Sequence, residues 1–244
     1  MRRRHRDVLV LCYHGIAPAS VHGEVEPGAF RAQLEHVASR GYRWTTFSEA
    51  VLGSEEDRVA AVTFDDGIGT ALENGLPILE ELGAPGTMFV RLDAFAWEDW
   101  IKPEDLPRLV ERGWEIGSHT STHPVLTDVD DVTLRDELVG SREELERLTG
   151  KPCTAVAYPT GRVDARVMAA AVAAGYTAGA ALEGAIDGKL GPLAWPRVGI
   201  RGDDSLQVFR LKCSRPVRGL RSSWLRRPTA RIASSAGRTR RRLA

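Results

Sequence analysis

Short apolar runs recur along this chain, and the stretches between them carry apolar residues at the three- and four-residue spacing of a helix face. Residues 8–13 form a run suited to a buried strand. Phe30, Leu34, Val37 and Ala38 then follow helical spacing, and Gly41 supplies a stop. Residues 59–64 predict a second buried strand ending at Asp65, residues 70–82 a helix with Pro77 inside it, and 87–90 another short strand. A helix over 103–112 has Pro103 at its start and Gly113 past its end, and a strand over 114–118 ends at His119. The strongest helical pattern spans 134–148, with Leu134, Leu138, Leu145 and Leu148, and Gly150 just beyond it. Residues 154–157 predict a strand leading into Tyr158. Asp164 caps an alanine-rich helix over 165–174, and 176–181 and 193–200 complete the strands.

Strands alternating with helices predict an α/β protein with a parallel sheet and helices outside it. About seven strands suit a barrel, with an open doubly wound sheet as the alternative. The chain has neither G-x-G-x-x-G nor G-x-x-x-x-G-K-[ST], so nucleotide-binding versions of the open sheet lose weight. At 244 residues, 43% of them hydrophobic, the chain has enough apolar side chain for one sizeable core.

Charge is balanced overall but not along the chain. From Arg215 onward there are ten arginines and no acidic residue, while residues 1–214 hold 23 Lys and Arg against 33 Asp and Glu. This divides the chain into a folded domain over 1–213 and a basic tail over 214–244. The tail reads either as a frayed, solvated terminus or as a contact to an anionic surface, phospholipid headgroups or a phosphate-bearing carrier. Trp224 and Leu225 beside Arg226 and Arg227 suit an interfacial anchor. Nucleic acid is not an expected partner. Cys12, Cys153 and Cys213 are odd in number and widely spaced, which argues against a disulfide framework or a cysteine zinc site. The basic start is followed by only a short apolar run, Val8 to Cys12, less than a signal peptide needs. The expected location is therefore cytoplasmic, with peripheral membrane contact through the tail.

The informative feature is where polar residues fall. Ligands of parallel α/β folds bind at the carboxyl ends of the strands. Here those ends carry Tyr13 and His14, Asp65 and Asp66, His119 with His123, and Tyr158 with Pro159. Two adjacent carboxylates in a partly dry site do not both ionise cheaply without a compensating cation. Adjacent residues also point different ways, so one can bind metal while the other handles protons. Alone, the pair also fits an ordinary D-D-G turn. His119 and His123 converge on one ion if the segment is helical or a tight loop; the alternative is two solvated histidines. Two imidazoles and one carboxylate suit Zn²⁺ first, and also Co²⁺, Ni²⁺ or Fe²⁺, and leave room for water.

The strings T-F-D-D-G (63–67), H-T-S-T-H (119–123) and A-Y-P-T-G (157–161), in that order, resemble the polysaccharide deacetylase family, also called the NodB homology domain or carbohydrate esterase family 4. The resemblance covers roughly residues 8–200. It implies a distorted (β/α)7-type barrel, with Asp65 as catalytic base and Asp66, His119 and His123 as metal ligands. It also implies that Tyr158, Pro159, Thr160 and Gly161 line the sugar groove. There the family's usual arginine is replaced by Ala157 and its aromatic residue by Thr160. The family's late leucine-histidine motif, source of the general acid, is missing, since no histidine follows His123. The opening L-C-Y-H-G-I resembles a branch that begins with a Tyr-His strand, and His14 is nominated as the acid on that ground. In W-P-R-V-G-I, Trp195 and Arg197 are candidate groove residues. Arg197 is expected to orient Asp65 in place of the missing arginine, or else to be a surface residue beside a rim tryptophan. His5, His22 and His36 are read as surface residues.

The resemblance implies removal of N-acetyl groups from an amino-sugar glycan or glycoconjugate precursor by metal-activated water. O-deacetylation, and a non-catalytic module binding carbohydrate or a lipid carrier on the same barrel, are the competing readings.

Overall fold

The computed structural model describes residues 6–18, 23–53, 56–182 and 191–224. Eight parallel strands carry the fold: β1 (Asp7–Tyr13), β2 (Arg43–Trp44), β3 (Arg58–Phe64), β4 (Gly86–Val90), β5 (Glu115–Ser118), β6 (Ala155–Ala157), β7 (Ala178–Leu182) and β8 (Trp195–Gly199). The order runs β1-β8-β7-β6-β5-β4-β3, and β1 pairs with β3 along its whole length, so seven strands close into a barrel. The two-residue β2 sits outside the ring. It takes the first part of the β3 edge, at Val59 and Ala60, and β4 takes the rest from Val62 to Phe64. The open-sheet alternative is thereby excluded.

The helices are α1 (Pro27–Ser39), α2 (Phe47–Leu52), α3 (Leu76–Glu81), α4 (Asp105–Glu111), α5 (Asp131–Thr149), α6 (Ala165–Ala173), α7 (Leu206–Cys213) and α8 (Arg215–Trp224). Their ends follow local chemistry. The Asp130 and Asp164 carboxylates accept the Thr133 and Val167 amides at the starts of α5 and α6, and Gly150 closes α5 in a left-handed turn. The helix expected over 70–82 divides into a wide turn over Ala71–Gly75 and α3 from Leu76 onward. Pro77 has no N–H to donate back to the preceding turn, which favours that break.

Alternate residues of the strands belong to two cores. Leu9, Leu11, Val62, Phe64, Met88 and Val156 face the surrounding helices and pack on Phe30, Leu34, Leu79, Leu109, Leu138 and Val167. Val10, Val59, Ala61, Phe89, Ala155, Ala157, Ala178 and Ala180 form a separate cluster inside the ring, where small side chains fit the narrow bore. The short α2 contributes Phe47, Ala50 and Val51 to this inner cluster and touches β1, β3 and β7 together, closing the ring at its amino-terminal end. Each fully buried leucine, valine or phenylalanine contributes roughly 1.5–3 kcal/mol. All three cysteines are buried thiols.

Two helices the sequence pattern did not predict, α7 and α8, follow the last strand. The start of the basic tail is thus helical, and Arg218 of α8 donates to Asp7 at the head of β1 at 2.6 Å. Residues 225–227 of the expected anchor, His5 and His22 lie outside the described residues. Among the described residues, no helix is long and apolar enough to cross a membrane.

Candidate metal centre

Because every strand of the ring is parallel, their carboxyl ends share one rim. There Phe64 of β3 gives way to Asp65, which is buried, and Asp66, which is partly open. Asp66 adopts a left-handed conformation (φ 70°), and Gly67 follows at φ 90°. A Cβ on Gly67 would lie 2.6 Å from the Ile101 Cγ2, so the third letter of D-D-G is required by sterics as well as by φ. The His119–His123 loop leaves β5 with Thr120 and His123 also left-handed. Together with Thr160, these are the four non-glycine residues with positive φ among the described residues, and all four belong to the rim loops. Strain of this kind concentrates at functional sites.

The loop brings His119 Nε2 to 3.6 Å and His123 Nε2 to 3.5 Å from the same Asp66 oxygen, Oδ1. The two rings meet nearly edge to face with centroids 4.7 Å apart. One donor atom from each of Asp66, His119 and His123 lies within 4.8 Å of the others. The closest separations are long for hydrogen bonds. They approach the roughly 3.3 Å edge between donors that each stand about 2.0–2.1 Å from one tetrahedral ion. The His119 Nδ1 donates to the Ala157 carbonyl at 2.7 Å, which leaves the Nε2 lone pair facing Asp66. Burial, with His119 as neighbour, holds the His123 imidazole below its ordinary range, so it is neutral and ready to ligate. Asp66 Oδ1 is buried and accepts no hydrogen bond. An orphaned carboxylate oxygen between two imidazole nitrogens fits a divalent cation.

Beside this trio stands an ion pair. Arg197 on β8 is fully buried and donates to both Asp65 oxygens at 2.6 Å and to Thr63 Oγ1 at 3.0 Å. Its guanidinium lies 5.4 Å over the Phe89 ring. The Cys12 thiol, 3.4 Å from Oδ2, also donates to Asp65. Burial alone would raise the Asp65 pKa, but Arg197 outweighs it and holds the carboxyl well below the usual range. Arg197 therefore stands where orientation of Asp65 requires it, and the surface-arginine alternative fails. His14, exposed at the end of β1, places Nε2 4.0 Å from Asp66 Oδ2, on the open side of the trio.

The remaining groove assignments change. Trp195 is two residues nearer the amino-terminal end of β8 than Arg197. It packs with Val8 against the inner cluster and borders a cavity lined by Arg6, Asp7 and Val51, at the rim opposite Asp65. It is not a groove residue. Tyr158 is fully buried and donates to the Leu193 carbonyl at 2.8 Å; Pro159 and Gly161 are buried as well. Of those four only Thr160 is exposed, so the other three shape the loop from beneath. His36 is half-buried, its ring 6.4 Å from Phe209.

Glu137 escaped the sequence reading. From α5, its carboxylate accepts the backbone amides of Ser121 and Thr122 at 2.8 and 2.9 Å, and the Thr122 hydroxyl, gripping the loop between the two histidines. Its trace in the sequence is a charge on the Leu134–Leu138 stripe, where an apolar residue belongs. Glu137→Ala should cost about 1–3 kcal/mol through the orphaned amides. It should also lower metal affinity by roughly 10–100-fold. Thermal melts and metal titration check both; unchanged metal affinity would free the loop from dependence on Glu137.

Comparison with known proteins adds an independent line. The profile of the polysaccharide deacetylase family matches residues 53–179. The Bacillus subtilis protein YxkH is 26% identical over 164 residues, covering 65% of this chain and 58% of YxkH. The peptidoglycan-N-acetylmuramic acid deacetylase PdaA of the same organism is 32% identical over 107 residues, covering 41% of this chain and 37% of PdaA. This chain thus spans less than two thirds of either relative. Among solved structures, a polysaccharide deacetylase from Bacillus cereus superposes with a TM-score of 0.74 at 27% identity, covering 86% of this chain and 69% of that one. The Streptococcus pyogenes deacetylase PplD, solved with acetate, gives 0.75 at 22% identity over 85% of this chain and 98% of its own, a likeness of fold.

Proposed function

Since this chain belongs to the polysaccharide deacetylase family, we propose that it removes N-acetyl groups from an amino-sugar-containing glycan or glycoconjugate by hydrolysis, with Asp65 as base. The observation that carries the proposal is the convergence of Asp66, His119 and His123 beside the Asp65–Arg197 pair.

Asp66 Oδ1, His119 Nε2 and His123 Nε2 are the atoms that would hold the ion. A divalent cation there, zinc by the chemistry of the donors, supplies a Lewis acid for the acetyl carbonyl and lowers the pKa of water from about 15.7 toward about 7. Asp65 takes up the proton of the attacking water. Arg197 keeps that carboxylate ionised at neutral pH and fixes its plane through two parallel hydrogen bonds. His14, exposed and within reach of the open side of the site, delivers a proton to the departing amine. The exposed Thr160 turn offers its backbone N–H to the developing oxyanion. Acetate and a free amino sugar leave.

N-acetylglucosamine oligomers incubated with the full chain should release acetate. Chelation should abolish the release and added Zn²⁺ or Co²⁺ should restore it. Parallel O-acetylated sugars separate amide from ester hydrolysis. Acetate release indifferent to chelation would refute the metal-assisted reading, and no release from any acetylated sugar would favour a binding module.

A further inference from the structure

At the end of the barrel opposite Asp65, a cavity of about 350 Å³ opens between β1, the end of α1 and the junction of α7 with α8. Arg40 just past α1, Arg58 on β3, Arg210 on α7 and Arg215 on α8 line it. The one carboxylate in its wall is Asp7, which is already engaged. It accepts from Tyr42 at 2.7 Å and Arg218 at 2.6 Å, with Arg215 3.4 Å and Arg58 4.0 Å away. Arg40 and Arg210, both exposed, face the same space without a carboxylate partner among the described residues. His36 registers their field: burial first, then Arg210 and Arg40, push its imidazole below the ordinary range. The floor is apolar, built from Leu9, Val37 and Pro216.

Four guanidiniums around one neutralised carboxylate form a cradle for a doubly bonded anionic oxygen group, the geometry arginine offers to phosphate. The apolar floor suits the glycerol and first methylenes behind such a group. The charge also continues past the cavity: α8 leads away from it into the rest of a segment that, from Arg215 to the chain end, has ten arginines and no acid. A single-sign segment of this length complements an anionic bilayer. We infer that this cavity binds the phosphate of an anionic phospholipid headgroup and seats the amino-terminal end of the barrel on a membrane. At about 3.3 Å per residue, seven-residue β1 sets the metal-binding rim roughly 20 Å away from that surface.

The test is sedimentation of the full chain with phosphatidylcholine vesicles that contain or lack phosphatidylglycerol. Binding is expected only to the anionic vesicles. Arg40→Glu with Arg210→Glu should weaken it by roughly 25-fold or more, about fivefold for each guanidinium lost and more for reversal. Arg40→Gln with Arg210→Gln, which perturbs folding less, should weaken it in the same direction. Reversing Arg108 and Arg135, which do not line the cavity, should leave it within about twofold. Undiminished vesicle binding in both cavity pairs would assign the interaction to the terminal segment alone and overturn the proposal. Equal losses from the remote pair would reduce it to net charge and overturn it as well. Calorimetry with inorganic phosphate separates the remaining source: phosphate binding that needs Arg40 and Arg210, without vesicle binding, would make this a soluble-anion site and remove the membrane.

Discussion

Asp66→Asn should leave the protein folded, without stoichiometric metal, and slower in acetate release by more than about 100-fold. The scale follows from outer-shell partners of metal sites, whose loss alone costs roughly 10–100-fold. Asn is the informative replacement because it tolerates the left-handed backbone that Asp66 adopts at φ 70°. What it removes is the charge on Oδ1, the buried oxygen facing both imidazole nitrogens. Elemental analysis of the purified variant decides the matter. Metal at the wild-type ratio would mean that the trio is an ordinary polar cluster, whatever the activity does.

The second large effect concerns Asp65 and Arg197 as a pair. Asp65→Asn removes the base and should cost roughly 10²–10⁴-fold in activity while metal stays bound. It also strands a buried guanidinium, and breaking a buried pair from one side costs about 3–5 kcal/mol. Arg197→Met strands the carboxylate instead. Burial, the largest influence on Asp65, is then opposed only by His119 and His14, so its pKa rises and the acid limb of the pH–rate profile should move upward. A merely structural role for Arg197 would not shift that limb. Sign and window follow from the wild-type pair: Asp65 is depressed below 3.8, so the stability it contributes is complete above that value and lost as pH falls further. The double variant Asp65→Asn/Arg197→Met buries no net charge and should be more stable than either single one by a few kcal/mol. Additive losses in that cycle would show that the two side chains do not depend on each other.

Much of this site was legible in sequence because its ligands sit where strands stop. Apolar runs ending at Asp65, His119 and Tyr158 fix the rim before any coordinates exist, since parallel strands share one end. Arg197 was legible only as a candidate. Its partner lies 132 positions away and on the far side of a ring closure. Trp195 was misplaced for a related reason. An i, i+2 pair shares a face of its strand, and here both residues turn inward, but two steps along a strand carry Trp195 toward the opposite mouth. Glu137 was hidden because a helical stripe reads as packing, and a loop gripped from a helix sixteen residues later leaves no local pattern. The two-residue β2 and six-residue α2 are too short to show any period. Helix α8 was lost to composition, because a run of arginines without acids reads as tail before it reads as helix.

The ring closure also bears on the histidine that the family usually carries near the end of the chain. β1 lies between β8 and β3, so the first and last strands of the chain are side-by-side neighbours. The same strand appended after β8 would fill the same gap and present its terminal histidine at the same place on the rim. A circle has no starting point, and what the catalytic rim senses is angular position rather than order of synthesis. The closure thus brings the two ends of the fold together, and the bond from Arg218 to Asp7 ties α8 to the head of β1.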